Sequence, residues 1–227
     1  MKTEIINKLK GGLVVSCQGL PEEPMHGSIV MQKFAVSAMQ GGAVGIRANT
    51  VEDISEIKKK VSAPVIGIIK RVFDGSEVYI TPTLEEVKAL LNVGVEIIAL
   101  DGTMHARPNG EKLEYLVSYI KENSPNTLIM ADTATFEDAV NAEKLGFDLI
   151  GTTLRGYTTE TKGVKLPDYK FIKKLVKKLN TPIVAEGGIS TPKQLKKALD
   201  CGACFAVVGG AITRPQNITK SFVSAIK

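Results

Sequence analysis

Two residues at the ends of short apolar runs carry groups suited to moving protons: Lys70 in PVIGIIK (64–70) and Glu186 in PIVAEGG (182–188). A neutral amine on one side of a carbon and a carboxyl group on the other can remove a proton from one face and return one to the opposite face. Six further apolar runs close on functional groups or glycine in the same way. They end at Gln18, Arg47, Asp101, Asp132, Thr152 with Thr153, and Gly209 with Gly210. A charge at the end of a buried strand is costly unless something pairs with it. Five of them in equivalent places (Arg47, Lys70, Asp101, Asp132 and Glu186) therefore predict one catalytic or binding rim.

The last two runs carry a second signal. Glu186 leads into Gly187-Gly188-Ile189, and Val208 leads into Gly209-Gly210-Ala211-Ile212-Thr213-Arg214-Pro215. Paired glycines let backbone N–H groups approach an anion, and a short helix after the last run would add its positive N-terminus. Two such pairs on consecutive runs predict a phosphate cup, with Arg214 as a charged clamp.

The elements that must position these groups follow one rhythm. Eight short, nearly continuous apolar runs read as strands buried on both faces, and hence parallel. Amphipathic stretches between them open with caps at Thr50, Thr83, Thr135 and Thr191-Pro192 and close on Gly94, Gly146 and Gly202. Eight units in 227 residues average about 28 residues each, close to a minimal (β/α)₈ repeat. An open doubly wound sheet is the rival, but QGLPEEPMHGS follows the first strand where a G-x-G-x-x-G fingerprint would stand. The reading is an α/β protein, a (β/α)₈ TIM barrel forming a single domain over 1–227. Strands three and seven lie opposite each other in a ring of eight, so Lys70 and Glu186 face across the mouth. As a base, Lys70 must be neutral; burial and the cation of Arg47 would push its pKa down. Lys70 also has two other readings, a Schiff-base nucleophile and a static anion partner.

Composition removes several function classes. The net charge of +5 suits an anionic small molecule, but without Trp or a basic-aromatic stripe nucleic-acid binding is not expected. No apolar run is long enough to span a membrane, and MKTEIINKLKGG lacks the apolar stretch of a signal peptide, so a cytoplasmic protein is expected. Cys201-x-x-Cys204 follows a helical pattern instead of opening one, which reads as packing, not redox chemistry. The two histidines, His26 and His105, lie in loops away from suitably spaced acids, so no metal is expected. That argues against a metal-dependent pentose-phosphate epimerase. Asp101 followed by Gly102-Thr103, with Ala106 at the last place, departs from the Asp-x-Lys-x-x-Asp of the orotidylate-decarboxylase group.

Over essentially its full length the sequence resembles the N-acetylmannosamine-6-phosphate 2-epimerases of bacterial sialic acid catabolism. The stretches that carry the resemblance are LVVSCQ (13–18), GIRA (45–48), GIIKR (67–71), YITPT (79–83), MADT (130–133), GTTLRGYT (151–158), VAEGGI (184–189) and VVGGAITRP (207–215). Gly19 and Gly102 are small departures that remove no functional group. The resemblance implies an isomerase acting on an amino-sugar phosphate without a cofactor. Lys70 would take the C2 proton and Glu186 would act on the opposite face. Gln18, Arg47 and Asp132 would hold the sugar and its N-acetyl group, and Arg214 would contact the substrate. It also implies a homodimer. Arg47 and Asp132 are then candidates for steering the proton or stabilising the enolate oxygen. Two other classes stay open: a class I aldolase using a Lys70 Schiff base, and a non-catalytic sugar-phosphate sensor.

Overall fold

In a computed structural model that describes residues 1–226, the chain alternates strands and helices throughout. The strands are β1 (Leu13–Cys17), β2 (Gly45–Asn49), β3 (Val65–Ile68), β4 (Ile97–Asp101), β5 (Leu128–Asp132), β6 (Leu149–Gly151), β7 (Ile183–Glu186) and β8 (Phe205–Val208). The helices are α1 (Lys2–Leu9), α2 (Ser28–Gln40), α3 (Val51–Lys58), α4 (Leu84–Val93), α5 (Leu113–Asn123), α6 (Phe136–Leu145), α7 (Tyr169–Lys178), α8 (Pro192–Asp200), α9 (Gly210–Thr213) and α10 (Pro215–Ser224). Every strand pairs in parallel with its neighbour in sequence, and β1 pairs with β8 to close a barrel in the order 1 to 8. The (β/α)₈ expectation holds.

The caps fall where the sequence placed them. The N–H of Asp138 donates to Thr135 Oγ1, and the N–H of Thr135 donates back to the Asp138 carboxylate, so two orphan donors of α6 are satisfied together. Thr191 and Gln194 do the same for α8. Gly94 and Gly146 end α4 and α6 with φ of 73° and 76°, a left-handed turn that any side chain would strain. Cys17, Cys201 and Cys204 are free thiols.

Strand alternation sorts the core into an inner and an outer set. Val14, Ile66, Ile97, Leu128, Leu149, Val184 and Phe205 fill the barrel, with Leu9 of α1 sealing the bottom. Val15, Ile46, Val65, Ile98, Ile129 and Ile150 point outward under the helices. The same alternation carries each inward face upward from apolar to polar. Val14 is followed by Ser16 and Gln18, Ile68 by Lys70, Met130 by Asp132, Gly151 by Thr153, and Val184 by Glu186. The polar layer is thus the continuation of the barrel core. α10 is built differently from the other long helices: it contributes no buried residue, and its Phe222 is 74% exposed.

Candidate active site

A cavity of about 750 Å³ opens at the C-terminal end of the strands. Gln18, Arg47, Lys70, Thr153, Glu186, Gly187, Gly188, Gly209, Gly210 and Arg214, all expected from the sequence, line it together.

At its base lies an ion network built on Arg47. The guanidinium donates from Nη1 to Asp132 Oδ1 at 3.0 Å, from Nη2 to Asp132 Oδ2 at 2.6 Å, and from Nη1 to Glu186 Oε2 at 2.9 Å. Thr153 Oγ1 donates to Asp132 Oδ1 at 2.6 Å and reaches Glu186 Oε2 at 3.1 Å. Strands two, five, six and seven are therefore joined through one cation and two carboxylates. Arg47 and Asp132 are 1% and 0% exposed, whereas Glu186 keeps 14% of its side chain open. Burial alone would loosen the Arg47 proton, but Asp132 and Glu186 hold its charge firmly in place.

The two proton-transfer candidates are perturbed in opposite senses. Burial pushes Lys70 below the ordinary lysine range, and the cations of Arg47 and Arg214 act in the same direction; Glu186 and Asp132 oppose them. Burial pushes the Glu186 carboxyl up, with Arg47 working against it and Asp132 adding to the rise. Lys70 lies two residues past β3, where it bridges to Ile80, and its backbone N–H donates to Asn49 Oδ1 at 2.8 Å. Among the described residues its ammonium has no hydrogen-bond or ion-pair partner.

Among the described residues three buried side-chain polar atoms have no partner, two of them at the cavity and the third Gln216 Oε1. Gln18 donates its Nε2 to Ser16 Oγ at 2.7 Å, which leaves its Oε1 unsatisfied, and Arg47 Nε is likewise orphaned. Such atoms are costly unless a ligand completes them, and both residues line the cavity. The glycine pairs form the adjoining wall. Gly187 and Gly188 have φ of 109° and 70°, and a Cβ on Gly188 would lie 2.4 Å from Leu166 Cβ, so this turn admits only glycine.

The structure corrects some placements. Thr152, expected at the substrate, lies outside the cavity. Its Oγ1 donates to the Glu186 carbonyl at 2.8 Å and accepts from the Glu186 N–H at 3.1 Å, so it ties β6 to β7. Alternation puts Thr153 inward and Thr152 outward. Asp132, expected to be catalytic, is fully covered and bonded to Arg47 and Thr153. Arg47 does not end its strand; β2 runs on to Asn49, which explains its burial. Asp101 is capped by its own loop, accepting from Thr103 N–H at 3.0 Å and Oγ1 at 2.6 Å, beneath the segment that carries Ile80.

Tyr79 and Glu23 escaped the sequence reading. Tyr79 lines the cavity, and burial with the charges of Asp132 and Asp101 pushes its hydroxyl up to about 12, so it is a proton-bearing donor. Glu23 binds Arg214. Both come from loops whose fold-back depends on distant partners, and only the Tyr-Ile-Thr-Pro-Thr stretch gave a signal. His26 meets the Gly19 carbonyl at 3.1 Å and His105 meets Glu160 at 2.7 Å. Among the described residues no group of three or more His, Cys, Asp or Glu could hold a metal ion, and no helix is long and apolar enough to cross a membrane.

Several known proteins are similar to this chain over most of its length. Residues 31–227 match the NanE family model, described as "Putative N-acetylmannosamine-6-phosphate epimerase". Two proteins named "Putative N-acetylmannosamine-6-phosphate 2-epimerase" are close relatives. The one from Staphylococcus haemolyticus is 54% identical over 221 residues, covering 96% of this chain and 99% of that protein. The one from Listeria welshimeri is 50% identical over 229 residues, covering 100% and 97%. The solved N-acetylmannosamine-6-phosphate 2-epimerase from Clostridium perfringens superposes with a TM-score of 0.94 at 51% identity, covering 97% of this chain and 96% of that one. With a family model spanning 31–227 and relatives matched from end to end, the chain belongs to the N-acetylmannosamine-6-phosphate epimerase family.

Proposed function

We propose that this protein interconverts N-acetylmannosamine 6-phosphate and N-acetylglucosamine 6-phosphate by exchanging the C2 proton of the ring-opened sugar. The observation that carries the reading is a half-buried Lys70 on β3's extension, whose amine has no partner among the described residues, with Glu186 anchored on the opposite strand. The phosphate sits in the Gly187–Gly188 and Gly209–Gly210 cup near Arg214. The orphaned Gln18 Oε1 accepts from the acetamido N–H, and the orphaned Arg47 Nε donates to a sugar oxygen. That places C2 between Lys70 and Glu186. The neutral amine of Lys70 removes the proton α to the C1 carbonyl, and negative charge moves to the C1 oxygen, where Arg47 and the Tyr79 hydroxyl are available donors. Glu186, whose burial favours the protonated form, delivers a proton to the other face. Microscopic reversibility exchanges the two roles in the reverse direction. The protein's own residues supply each step. We also propose, following the family resemblance, a homodimer that uses no cofactor, working in the cytoplasm.

One observation favours a second mechanism. Glu186 Oε2 is held by Arg47 at 2.9 Å, which stabilises the carboxylate and opposes its use as an acid. In that case Lys70 alone serves both faces, and Glu186 holds Arg47 and the substrate. Heavy water separates the two. With N-acetylmannosamine 6-phosphate, Lys70→Ala should abolish exchange and epimerisation. Under two bases Glu186→Ala exchanges the C2 proton without forming the gluco product. Under one base its exchange and epimerisation fall together. Wild-type protein that neither exchanges nor epimerises this substrate would refute both.

A further inference from the structure

The arginine of the proposed phosphate cup is held by a carboxylate that does not itself line the cavity. Glu23, in the loop between β1 and α2, accepts through Oε1 from Arg214 Nε and from Gln216 Nε2 at 3.3 Å. Its other oxygen accepts from the Leu20 N–H at 2.9 Å. One side chain thus folds its own loop back and holds the segment that follows β8. The pair is mostly covered, with Arg214 24% and Glu23 15% exposed. The bond from Arg214 keeps the Glu23 carboxyl below the usual range, so Glu23 stays ionised.

The edge that Glu23 occupies decides what Arg214 can do. Nε is the donor nearest the chain. Among the described residues the two Nη groups make no hydrogen bond within the protein, and Arg214 lines the cavity. A Cβ built on Gly210 would lie 3.4 Å from Arg214 Nη1, so the free fork lies over the glycine turn. Two parallel N–H donors at that place match two oxygens of a phosphate.

We propose that Glu23 is a positioning residue for anion recognition, fixing Arg214 by its Nε so that both Nη groups face the phosphate over Gly209 and Gly210. This rests on the phosphate reading of the cup given above. Two effects oppose each other. A pre-ordered arginine avoids the loss of rotamer freedom at binding, a gain of roughly two- to tenfold in affinity. The negative charge of Glu23 repels the phosphate. A glutamine with its oxygen toward Nε keeps that acceptor and removes the charge, giving up only the bond from the Leu20 N–H, so the effects can be told apart.

The experiment titrates inorganic phosphate into wild type, Glu23→Ala, Glu23→Gln and Arg214→Ala, and measures kcat and KM on N-acetylmannosamine 6-phosphate, with melting curves for each. Glu23→Ala should raise both the phosphate Kd and KM roughly two- to tenfold with kcat unchanged. Glu23→Gln should return both to the wild-type value or below it, and Arg214→Ala should be the weakest binder. Melting curves that match wild type set these effects apart from loss of fold. Equal or tighter phosphate binding by Glu23→Ala, or a Glu23→Gln protein as weak as Glu23→Ala, would overturn the proposal. A wild type that binds phosphate but does not epimerise would sink the proposed function and leave the role of Glu23 standing.

Discussion

Replacing Arg47 by methionine removes the cation and keeps most of the side-chain volume. Three charge-assisted hydrogen bonds disappear, two to Asp132 and one to Glu186. The two carboxylates do not suffer alike. Glu186 retains 14% exposure and borders the open cavity, so water can take the place of the guanidinium. Asp132 has none, and keeps only the Thr153 hydroxyl. Leaving one member of a buried pair uncompensated destabilises by about 3–5 kcal/mol. In a chain of this size each kcal/mol moves the midpoint by about 2–4 °C, so Arg47→Met should melt roughly 6–20 °C lower. The double variant Arg47→Met/Asp132→Leu removes the stranded charge as well and should recover most of that loss, since well-packed apolar replacements of buried ion pairs are often neutral or better. Activity should not recover, because the donor to the substrate is still missing. The pH–rate profile adds an independent sign. Arg47 lowers the Lys70 pKa, so in Arg47→Met the limb that reports neutral Lys70 should move to higher pH. Calorimetry and C2 exchange in heavy water read these effects. A midpoint drop below about 2 °C, or a double variant less stable than the single one, would refute the assignment of the penalty to Asp132.

Two further outcomes follow from local geometry. Gly188→Ala places a methyl 2.4 Å from Leu166 Cβ at a φ of 70°, so overpacking and left-handed strain together should cost roughly 2–4 kcal/mol, seen as a lower melting midpoint and weaker phosphate binding. A normal melt with unchanged binding would mean that the turn relaxes freely. His105, held by Glu160 Oε1 at 2.7 Å, has its pKa raised above the ordinary histidine value: burial opposes the rise, but Glu160 and Glu77 outweigh it. The stabilisation from this pair is then fully present below the unfolded histidine pKa and is lost as pH rises through the folded one. Protection of the amides around Glu160, taken relative to their intrinsic exchange at each pH, should fall across that window in wild type and stay constant in His105→Ala; constant protection in both would remove the pair's role.

The part of the site that lies on strands was legible because one period-two rule governs it. Inward positions that carry Ile66 and Ile68 must next carry Lys70, and those that carry Val184 must next carry Glu186. Thr152 shows the limit of reading strand ends without parity: two adjacent threonines follow β6, and only one can face in. Asp101 shows another, since a neighbouring threonine can satisfy a carboxylate locally and remove it from the rim. Glu23 and Tyr79 were not legible for a different reason. Glu23 is 191 residues from Arg214 in sequence, and nothing in QGLPEEPMHGS marks which of its two adjacent glutamates turns inward.

The seam between β1 and β8 gives the Arg47 network a place in the assembly of the protein. Every other strand pairing joins neighbours in sequence, so most of the sheet can grow by short-range steps. Arg47 reaches Asp132 across 85 residues and Glu186 across 139. A curved but unclosed sheet leaves these three groups in water, each with its own hydration. Only when the ends meet are all three dehydrated at once and matched against one another. The step that makes the fold complete is therefore also the step that first brings these three groups together.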